Sequence, residues 1–348
     1  MTGSPEGSEQ KVRTRYDPGL VSVIIPTFNR WDALSVCLES VEQQSYEPLE
    51  VIVVDDASTI PPPDVGLRTR RLVVLRLPRN CGPGHARNRG YIESHGEFLH
   101  FLDSDATFAS PDAVGEAVAF LRGRPDVGAV GGEIPAGSGA SPVSGVLGRR
   151  IGPLGRSSAV RVSPDEHLGT TAVERCDYVA SCNLFVRREH FELAGGFDPY
   201  FGFGGEDLEF CWRIAQLGLG IYAGQRFAVY HHYAPEGRFS DVHYRYDLTR
   251  MRYVFKTGSL LSRCLVVAAA VAKAAAFYPL LPVKLACYAA MRRRIERGHL
   301  NSGALLAKAV CRALWELPGT LERRGRDFLC LEEIGRFERA LEDATWVL

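Results

Sequence analysis

Phe98-Leu99-His100-Phe101-Leu102-Asp103-Ser104-Asp105 is an apolar run that ends in two carboxylates one residue apart. Five residues with almost no polar interruption, followed directly by an acidic turn, read as a buried strand whose end opens to solvent. Upstream, Val21-Ser22-Val23-Ile24-Ile25 is a β-branched run closed by Pro26, and Leu49-Glu50-Val51-Ile52-Val53-Val54 is another that stops at Asp55-Asp56. Arg71-Leu72-Val73-Val74-Leu75-Arg76 is a further strand. Between them, Leu34, Val36, Leu38 and Val41 recur at helical spacing, and Gly84 to His95 suits a helix.

Strands alternating with helices over about a hundred residues predict an α/β fold, a mostly parallel, doubly wound sheet. Ligands of such sheets bind outside the carboxyl ends of the strands. Pro26-Thr27, Asp55-Asp56 and Asp103-Ser104-Asp105 all follow strands directly, so three polar sites are expected on one sheet edge. Further along, Tyr178 to Val186 and Phe227 to Tyr230 are strand-like, and Phe210 to Leu217 reads as a short helix.

Composition narrows the function classes. The chain has 348 residues, 46% of them hydrophobic, with 41 basic and 41 acidic residues. An even charge balance gives no general case for a polyanionic partner, and nucleic acid is not expected. The nine cysteines are scattered singly without Cys-x-x-Cys spacing, which argues against a disulfide framework or a zinc site and for a reduced, cytosolic setting. Met1 to Asp17 has no apolar core and reads as a tail rather than a signal peptide, with the tail ending at about residue 19.

Residues 135–164 are rich in Gly, Ser and Pro, carry Arg149, Arg150 and Arg156, and read as a mobile loop. Cys264 to Met291 is largely apolar, but Lys273, Lys284, Pro279 and Pro282 interrupt it, and Arg292-Arg293-Arg294 follows. Its longest charge-free stretch, Ala274 to Val283, is far shorter than the roughly 20 residues of a spanning helix. Two readings stand for 264–294: in-plane association with an anionic leaflet, which would be the inner face of the cell membrane, or a helix pair packed on the catalytic body. Ala304 to Leu317 and Leu331 to Leu341 have amphipathic helical patterns.

The chemistry-bearing residues fall into few groups. Asp103 and Asp105 can share one hard divalent cation, which would stabilise a departing diphosphate. Of Asp55 and Asp56, one is expected to serve a ligand and the other the turn. Asn80 to Gly90 is dense in glycine and cations, yet Gly-x-Gly-x-x-Gly fails at Arg87, which demotes a dinucleotide-dependent oxidoreductase. Glu206-Asp207 follows the flexible run Phe201-Gly202-Phe203-Gly204-Gly205 and opens an apolar helical pattern. These carboxylates suit the helix dipole in any case, and one placed beside an acceptor hydroxyl would act as a general base. His231-His232 ends a strand-like run, where either ring becomes a plausible third ligand to a cation at Asp103 and Asp105.

Together Val21–Asn29, Val51–Ser58, Asn80–Gly90, Phe98–Asp105, Gly195-Gly196-Phe197-Asp198, Gly204–Arg213 and the His231-His232 region resemble the inverting glycosyltransferases of family 2, in order and over residues 20–235. The resemblance implies a GT-A-type mixed sheet at 20–250, with a nucleotide-binding half to about 110, an acceptor half from 111, and a helical extension over 251–348. It implies that Pro26, Thr27 and Asn29 line the nucleoside pocket, that Asp56 contacts the base, and that Gly84 and Arg87 lie beside the nucleotide and diphosphate. Asp103, Ser104 and Asp105 would hold ribose and a Mn²⁺ or Mg²⁺ ion, with Asp105 the more direct ligand and His231 or His232 the further ones. Asp207 would be the base, with Glu206 positioning it or the acceptor. The donor would be a UDP, dTDP or GDP sugar and the acceptor a hydroxyl. His85 departs from the family, which has a small residue there, and the Gln-x-x-Arg-Trp signature of processive members is absent, so addition of a single sugar is expected. A nucleotidyltransferase would need a basic glycine loop after the first strand, where Pro26-Thr27-Phe28-Asn29-Arg30 stands. A silent sugar-nucleotide or glycan-binding protein would have no need of Asp103, Asp105 and Asp207 together.

Overall fold

The computed structural model describes residues 16–63, 67, 70–134, 146–161, 173–202, 204–232, 242–272, 302–323 and 328–329. In chain order the strands and helices are β1 (Asp17–Thr27), α1 (Trp31–Glu42), β2 (Leu49–Asp55), β3 (Arg71–Arg76), α2 (Pro83–Ile92), β4 (Gly96–Leu102), β5 (Ala106–Phe108), α3 (Ala113–Arg122) and β6 (Val127–Gly132). There follow β7 (Val146–Ile151), β8 (Ser157–Arg161), β9 (Val173–Cys176), β10 (Asn183–Arg187), α4 (Arg188–Ala194), α5 (Glu206–Gln216), β11 (Gly220–Gly224), β12 (Val229–His231) and α6 (Val242–Thr257). Helix α7 spans 260–272, and α8 is Ser302–Glu322.

Eight strands form one mixed sheet in the order β3-β2-β1-β4-β10-β6-β11-β9. The first four are parallel, β10 runs antiparallel between β4 and β6, and β9 closes the other edge antiparallel to β11. The expected α/β sheet is therefore present, with its four sequence-predicted parallel strands forming one half. Alternation along β1 explains the layering. Val21, Val23 and Ile25 point into one core with Leu34, Leu38, Val114 and Val118, while Ile24 joins Ile52, Phe101, Phe191, Phe197 and Phe210 on the opposite face. Helix α2 lies so close to the sheet that a Cβ on Gly90 would meet Ile24 Cγ2 at 2.5 Å, so this position takes glycine alone.

Three expectations change. Part of the glycine-rich stretch 135–164 is ordered as an antiparallel hairpin, β7 with β8, pairing Ile151 with Ser157. Its arms survive the composition because alternate residues of β7, Val146 and Gly148 among them, pack toward the sheet. Asp17 to Gly19, expected in the tail, begin β1, and Asp17 N donates to His95 O at 2.8 Å. The rest of that tail, residues 1–15, lies outside the described residues, as does Leu331 to Leu341. Helix α6 runs unbroken across residue 250, where the catalytic body was expected to give way to an extension.

That last point has an electrostatic cause. Lys256, on α6, is fully buried and donates to Asp198 Oδ2 at 2.6 Å and lies 2.8 Å from Glu209 Oε1. Glu209 also takes both Nε and Nη2 of Arg213 at 2.8 Å, and Arg213 donates onward to the carbonyls of Ala194 and Gly196. Around this network Phe201, Leu208, Met251, Val254 and Phe255 form a third core with Val266 of α7 and Ala309 and Ala313 of α8. No helix among the described residues is long and apolar enough to cross a membrane.

Replacing Lys256 with Met keeps the volume and takes the close cation from buried Asp198, leaving Glu209 to Arg213 alone, which should cost about 3–5 kcal/mol. Urea denaturation monitored by circular dichroism checks this; a loss no larger than that of the exposed-site control Val36→Ala would contradict it.

Candidate functional site

Parallel β1, β2 and β4 end side by side, so their exits form one ledge. The ledge is stitched by side chains. Asn29, in the left-handed region at φ 57°, accepts from Thr59 N at 2.7 Å and Thr59 Oγ1 at 2.9 Å, while its own N–H donates to Ser58 Oγ at 2.8 Å. Asp55 accepts from Ser58 N and from Arg76 Nη1, both at 2.8 Å. Asp56 accepts from Cys81 N at 2.7 Å and Gly82 N at 2.8 Å, and so fixes the start of α2. Both aspartates thus do structural work. Burial pushes the Asp56 carboxyl up to about 7, opposed by those two amides and aided by the charge of Asp55. Ala57 follows at φ 62°, so non-glycine residues with positive φ stand at the ends of both β1 and β2. Such strain persists where the surrounding structure holds it, often at functional sites. Pro26 and Thr27 are buried at the base of the ledge, and Thr27 Oγ1 has no hydrogen-bond partner.

Asp103, Ser104 and Asp105 form the turn from β4 to β5, closed by Ala106 N donating to Asp103 O at 3.0 Å. Strand β5 pairs with β12 in a register that sets His231 opposite Ala106. His231 Nε2 consequently lies 3.1 Å from Asp105 Oδ1 and 3.8 Å from Asp103 Oδ2. One oxygen from each aspartate and one imidazole nitrogen lie within 4.8 Å of one another, spaced to hold a single divalent cation. Arg30 Nη1 reaches Asp105 Oδ2 at 3.3 Å. His232 points elsewhere: its N–H donates to Asp105 O at 2.8 Å, but its ring pairs with Thr107 Oγ1 at 2.8 Å. Ser104 is buried beneath the turn.

The guanidinium of Arg87 joins this cluster to the second acidic pair. Arg87 is 2% exposed; Nη2 donates to Asp103 Oδ1 at 2.7 Å and Nη1 to Glu206 Oε1 at 2.8 Å. Phe197 lies 5.5 Å below it as a cation–π partner. Rather than lying open beside a diphosphate, Arg87 is a buried bridge between the two acidic sites. Gly84, one turn earlier on α2, sits against Glu206 and Phe197. Beside it His85 is buried as well.

Glu206 is held on every side, accepting also from Ser181 Oγ at 3.4 Å and Gly204 N at 3.1 Å. Asp207, next along the first turn of α5, accepts from Leu208 N at 2.8 Å and Ser181 N at 3.3 Å, and lines a cavity of about 700 Å³. Burial first and the neighbouring Glu206 charge second push its carboxyl up to about 7, against the Leu208 amide, Arg87 and the Ser181 amide. The two acidic sites are close enough that Asp103, Asp105 and Asp207 all add to burial in raising the Cys182 thiol. The cavity walls come from β7, the tip of the hairpin, the segment before β10, α5 and α6. A Cβ on Gly205, at φ 87°, would collide with Thr249 Cγ2 of α6, so glycine there lets α6 close the cavity.

The structure therefore gathers Asp103, Asp105, His231, Arg87, Glu206 and Asp207 in one place, with Pro26, Thr27, Asn29 and Asp56 on the adjoining ledge. Sequence reasoning missed Arg30, Ser181 and Lys256. Arg30 had a local signal, a cation three residues beyond a strand end; Ser181 and Lys256 had none.

Two family profiles match the chain: "Glycosyl transferase family 2" over residues 22–147, and "N-terminal domain of galactosyltransferase" over residues 173–234. Among curated proteins, an O-antigen biosynthesis protein RfbC of Myxococcus xanthus is 31% identical over 63% of this chain and 18% of its own length. A pre-mycofactocin glycosyltransferase of Mycobacterium tuberculosis is 31% identical over 58% of this chain and 40% of its own. The chain thus covers well under half the length of these relatives. Two solved structures share the fold at 21% identity. GalNAc-T7 with UDP, GalNAc and Mn²⁺ has a TM-score of 0.53, over 68% of this chain and 48% of that one. The mannosyltransferase PcManGT from Pyrobaculum calidifontis, in complex with GDP-Man and Mn²⁺, has 0.52, over 85% and 87%. With the mixed sheet and the ordered motifs along it, residues 22–147 match glycosyltransferase family 2, and the chain has the GT-A fold.

Proposed function

We propose that the chain transfers a single sugar, with inversion, from a nucleoside-diphosphate sugar to an acceptor hydroxyl, Asp207 acting as general base. The observation that carries this is the separation of two jobs by one guanidinium. On one side of Arg87 stand Asp103, Asp105 and His231; on the other, Asp207 faces a cavity.

Donor binding would use the ledge: Pro26, Thr27, Asn29 and Asp56 around a UDP, dTDP or GDP moiety, with Asp103 at the ribose. Two carboxylates and an imidazole suit Mn²⁺ somewhat better than Mg²⁺, since imidazole nitrogen favours transition metals. Asp103, Asp105 and His231 would hold the cation, which would supply positive charge against the donor diphosphate. Arg30 adds a cation at the same carboxylate. Glu206, neutralised by Arg87, is a positioning residue that keeps α5 and hence Asp207 oriented.

In the transfer, the acceptor oxygen forms its bond to the anomeric carbon as the carbon–oxygen bond to the diphosphate breaks. The hydroxyl proton passes to Asp207, and attack opposite the leaving group gives inversion. A carboxylate at about 7 is well matched to this task near neutral pH. Attached to the same body, α7 exposes Leu260, Leu261, Leu265 and Val271 while burying Val266 and Ala270, and Trp315 of α8 is 84% exposed. An apolar surface on that scale supports in-plane contact with an anionic leaflet through the helical extension. Of the proposed membrane segment 264–294, residues beyond 272 lie outside the described ones.

Asp207→Asn should reduce nucleoside-diphosphate release in the presence of acceptor by roughly 10²-fold or more while donor affinity stays near wild type. In wild type, activity should rise with pH through about 7 and level off above, because the base works only when deprotonated. Wild-type turnover in the variant, or a rate that falls through that range, would remove Asp207 from the role. For the membrane contact, the chain should co-sediment with phosphatidylglycerol vesicles more than with phosphatidylcholine vesicles, and Leu260→Asp with Leu261→Asp should lower that fraction. Equal recovery with both lipids and with the double variant would contradict it.

A further inference from the structure

The cavity beside Asp207 carries more positive charge than its catalytic role needs. Arg149 of β7, Arg156 at the hairpin turn and Arg250 of α6 all line it. Against them stand Asp207, whose carboxyl is shifted toward neutrality, and Asp247. Arg149 is tethered only by Nη1 to Ser157 Oγ at 3.3 Å, and no carboxylate among the described residues pairs with it or with Arg156. Arg250 has a loose contact, Nη2 to Asp247 Oδ1 at 3.8 Å, and its Nε is buried without a hydrogen-bond partner.

A buried guanidinium N–H left unpaired is unfavourable unless something else satisfies it. Here the cations come from two elements, the hairpin and α6, and all three line the one cavity. Guanidinium groups bind phosphate oxygens in paired, charge-assisted hydrogen bonds. Gly204, where a Cβ would meet nothing within 4 Å, leaves the wall beside Asp207 low enough for a sugar to lie against the backbone, and Tyr178 and Tyr246 line the same cavity. We propose that this cavity selects acceptors bearing a phosphate or diphosphate ester, held between Arg149 and Arg250 with Arg156 at the rim, while the acceptor hydroxyl meets Asp207.

This inference rests on the cavity being the acceptor site of the proposed reaction. It deepens that reading by naming the acceptor's charge. Arg149 and Arg250 are therefore specificity-determining rather than catalytic residues. Arg150 offers an internal control: it is the next residue on the same strand, exposed, and absent from the cavity lining.

Isothermal titration in EDTA tests the cavity apart from any metal-dependent donor binding. The probes are glucose 1-phosphate, farnesyl diphosphate and the neutral methyl glucoside. Either phosphate probe should bind wild type, methyl glucoside should not, and Arg149→Gln and Arg250→Gln should each weaken binding by roughly tenfold or more, while Arg150→Gln leaves it unchanged. Binding of both phosphate probes points to the ester itself, and binding of farnesyl diphosphate alone to a lipid-linked source; both support the proposal. No binding of either phosphate probe, equal affinity in the Arg149→Gln/Arg250→Gln double variant, or an equal loss in Arg150→Gln would overturn it. Thermal denaturation of each variant verifies that it is folded. If nucleotide sugars bind in Mn²⁺ and the phosphate probes fail in EDTA, the acceptor charge alone is refuted. If the arginine-dependent binding holds and no nucleotide sugar binds, it is the transfer reaction that falls.

Discussion

The arrangement of the site depends on one buried cation. Arg87 satisfies Asp103 on the β4 exit and Glu206 at the start of α5, two residues far apart in the chain. Taking a guanidinium out of water is costly, and only close, well-aligned carboxylates offset the cost. Without it, Asp103 and Glu206 would repel one another where the β4 exit meets the start of α5. With it, the ledge of strand ends and the first turn of α5 are held in one geometry, and Asp207 is presented to the cavity beside the Arg87–Glu206 ion pair. The same bridge explains why Arg87 is not exposed to a diphosphate, although it lies beside the residues that would bind one.

A second buried ion cluster sets the far wall. Lys256, Asp198, Glu209 and Arg213 lock α6 onto α5, and Arg252 of α6 pairs with Glu316 of α8 at 2.7 Å. Because Glu209 lies three residues after Glu206 on α5, the helix that carries Asp207 is gripped at its start by Arg87 and further along by Lys256 and Arg213. Helix α6 is thus held to α5 by buried ion pairs, and it brings Thr249 and Arg250 to the cavity. The cavity wall and the packing of the helical extension share one helix.

How much of this was legible in the sequence follows from the range of the interactions. Strands β1, β2 and β4 were visible because a strand buried on both faces is apolar nearly throughout, and their polar exits then had to share an edge. Asp103, Asp105 and Asp207 stood out for the same local reason, being carboxylates at element boundaries. The choice between His231 and His232 was out of reach: alternation says that one ring faces the cluster, but only the register of β12 against β5, set over a long loop, says which. The hairpin β7–β8 was hidden because its glycines and serines suit a loop equally well, and its order comes from packing on the sheet. Lys256 read as one cation among many, since nothing in its neighbourhood signals two buried carboxylates brought from residues 198 and 209.

The most direct test of the account is thermal denaturation with UDP, GDP and dTDP sugars, in Mn²⁺ and in EDTA, for wild type and Asp105→Ala. Ligands that bind only the native state raise its melting temperature. At least one nucleotide sugar should raise the melting temperature of wild type in Mn²⁺, and the rise should vanish in EDTA and in Asp105→Ala. A rise of equal size in EDTA or in the variant, or no rise with any of the donors, would contradict a metal-supported nucleotide-sugar site at Asp103, Asp105 and His231.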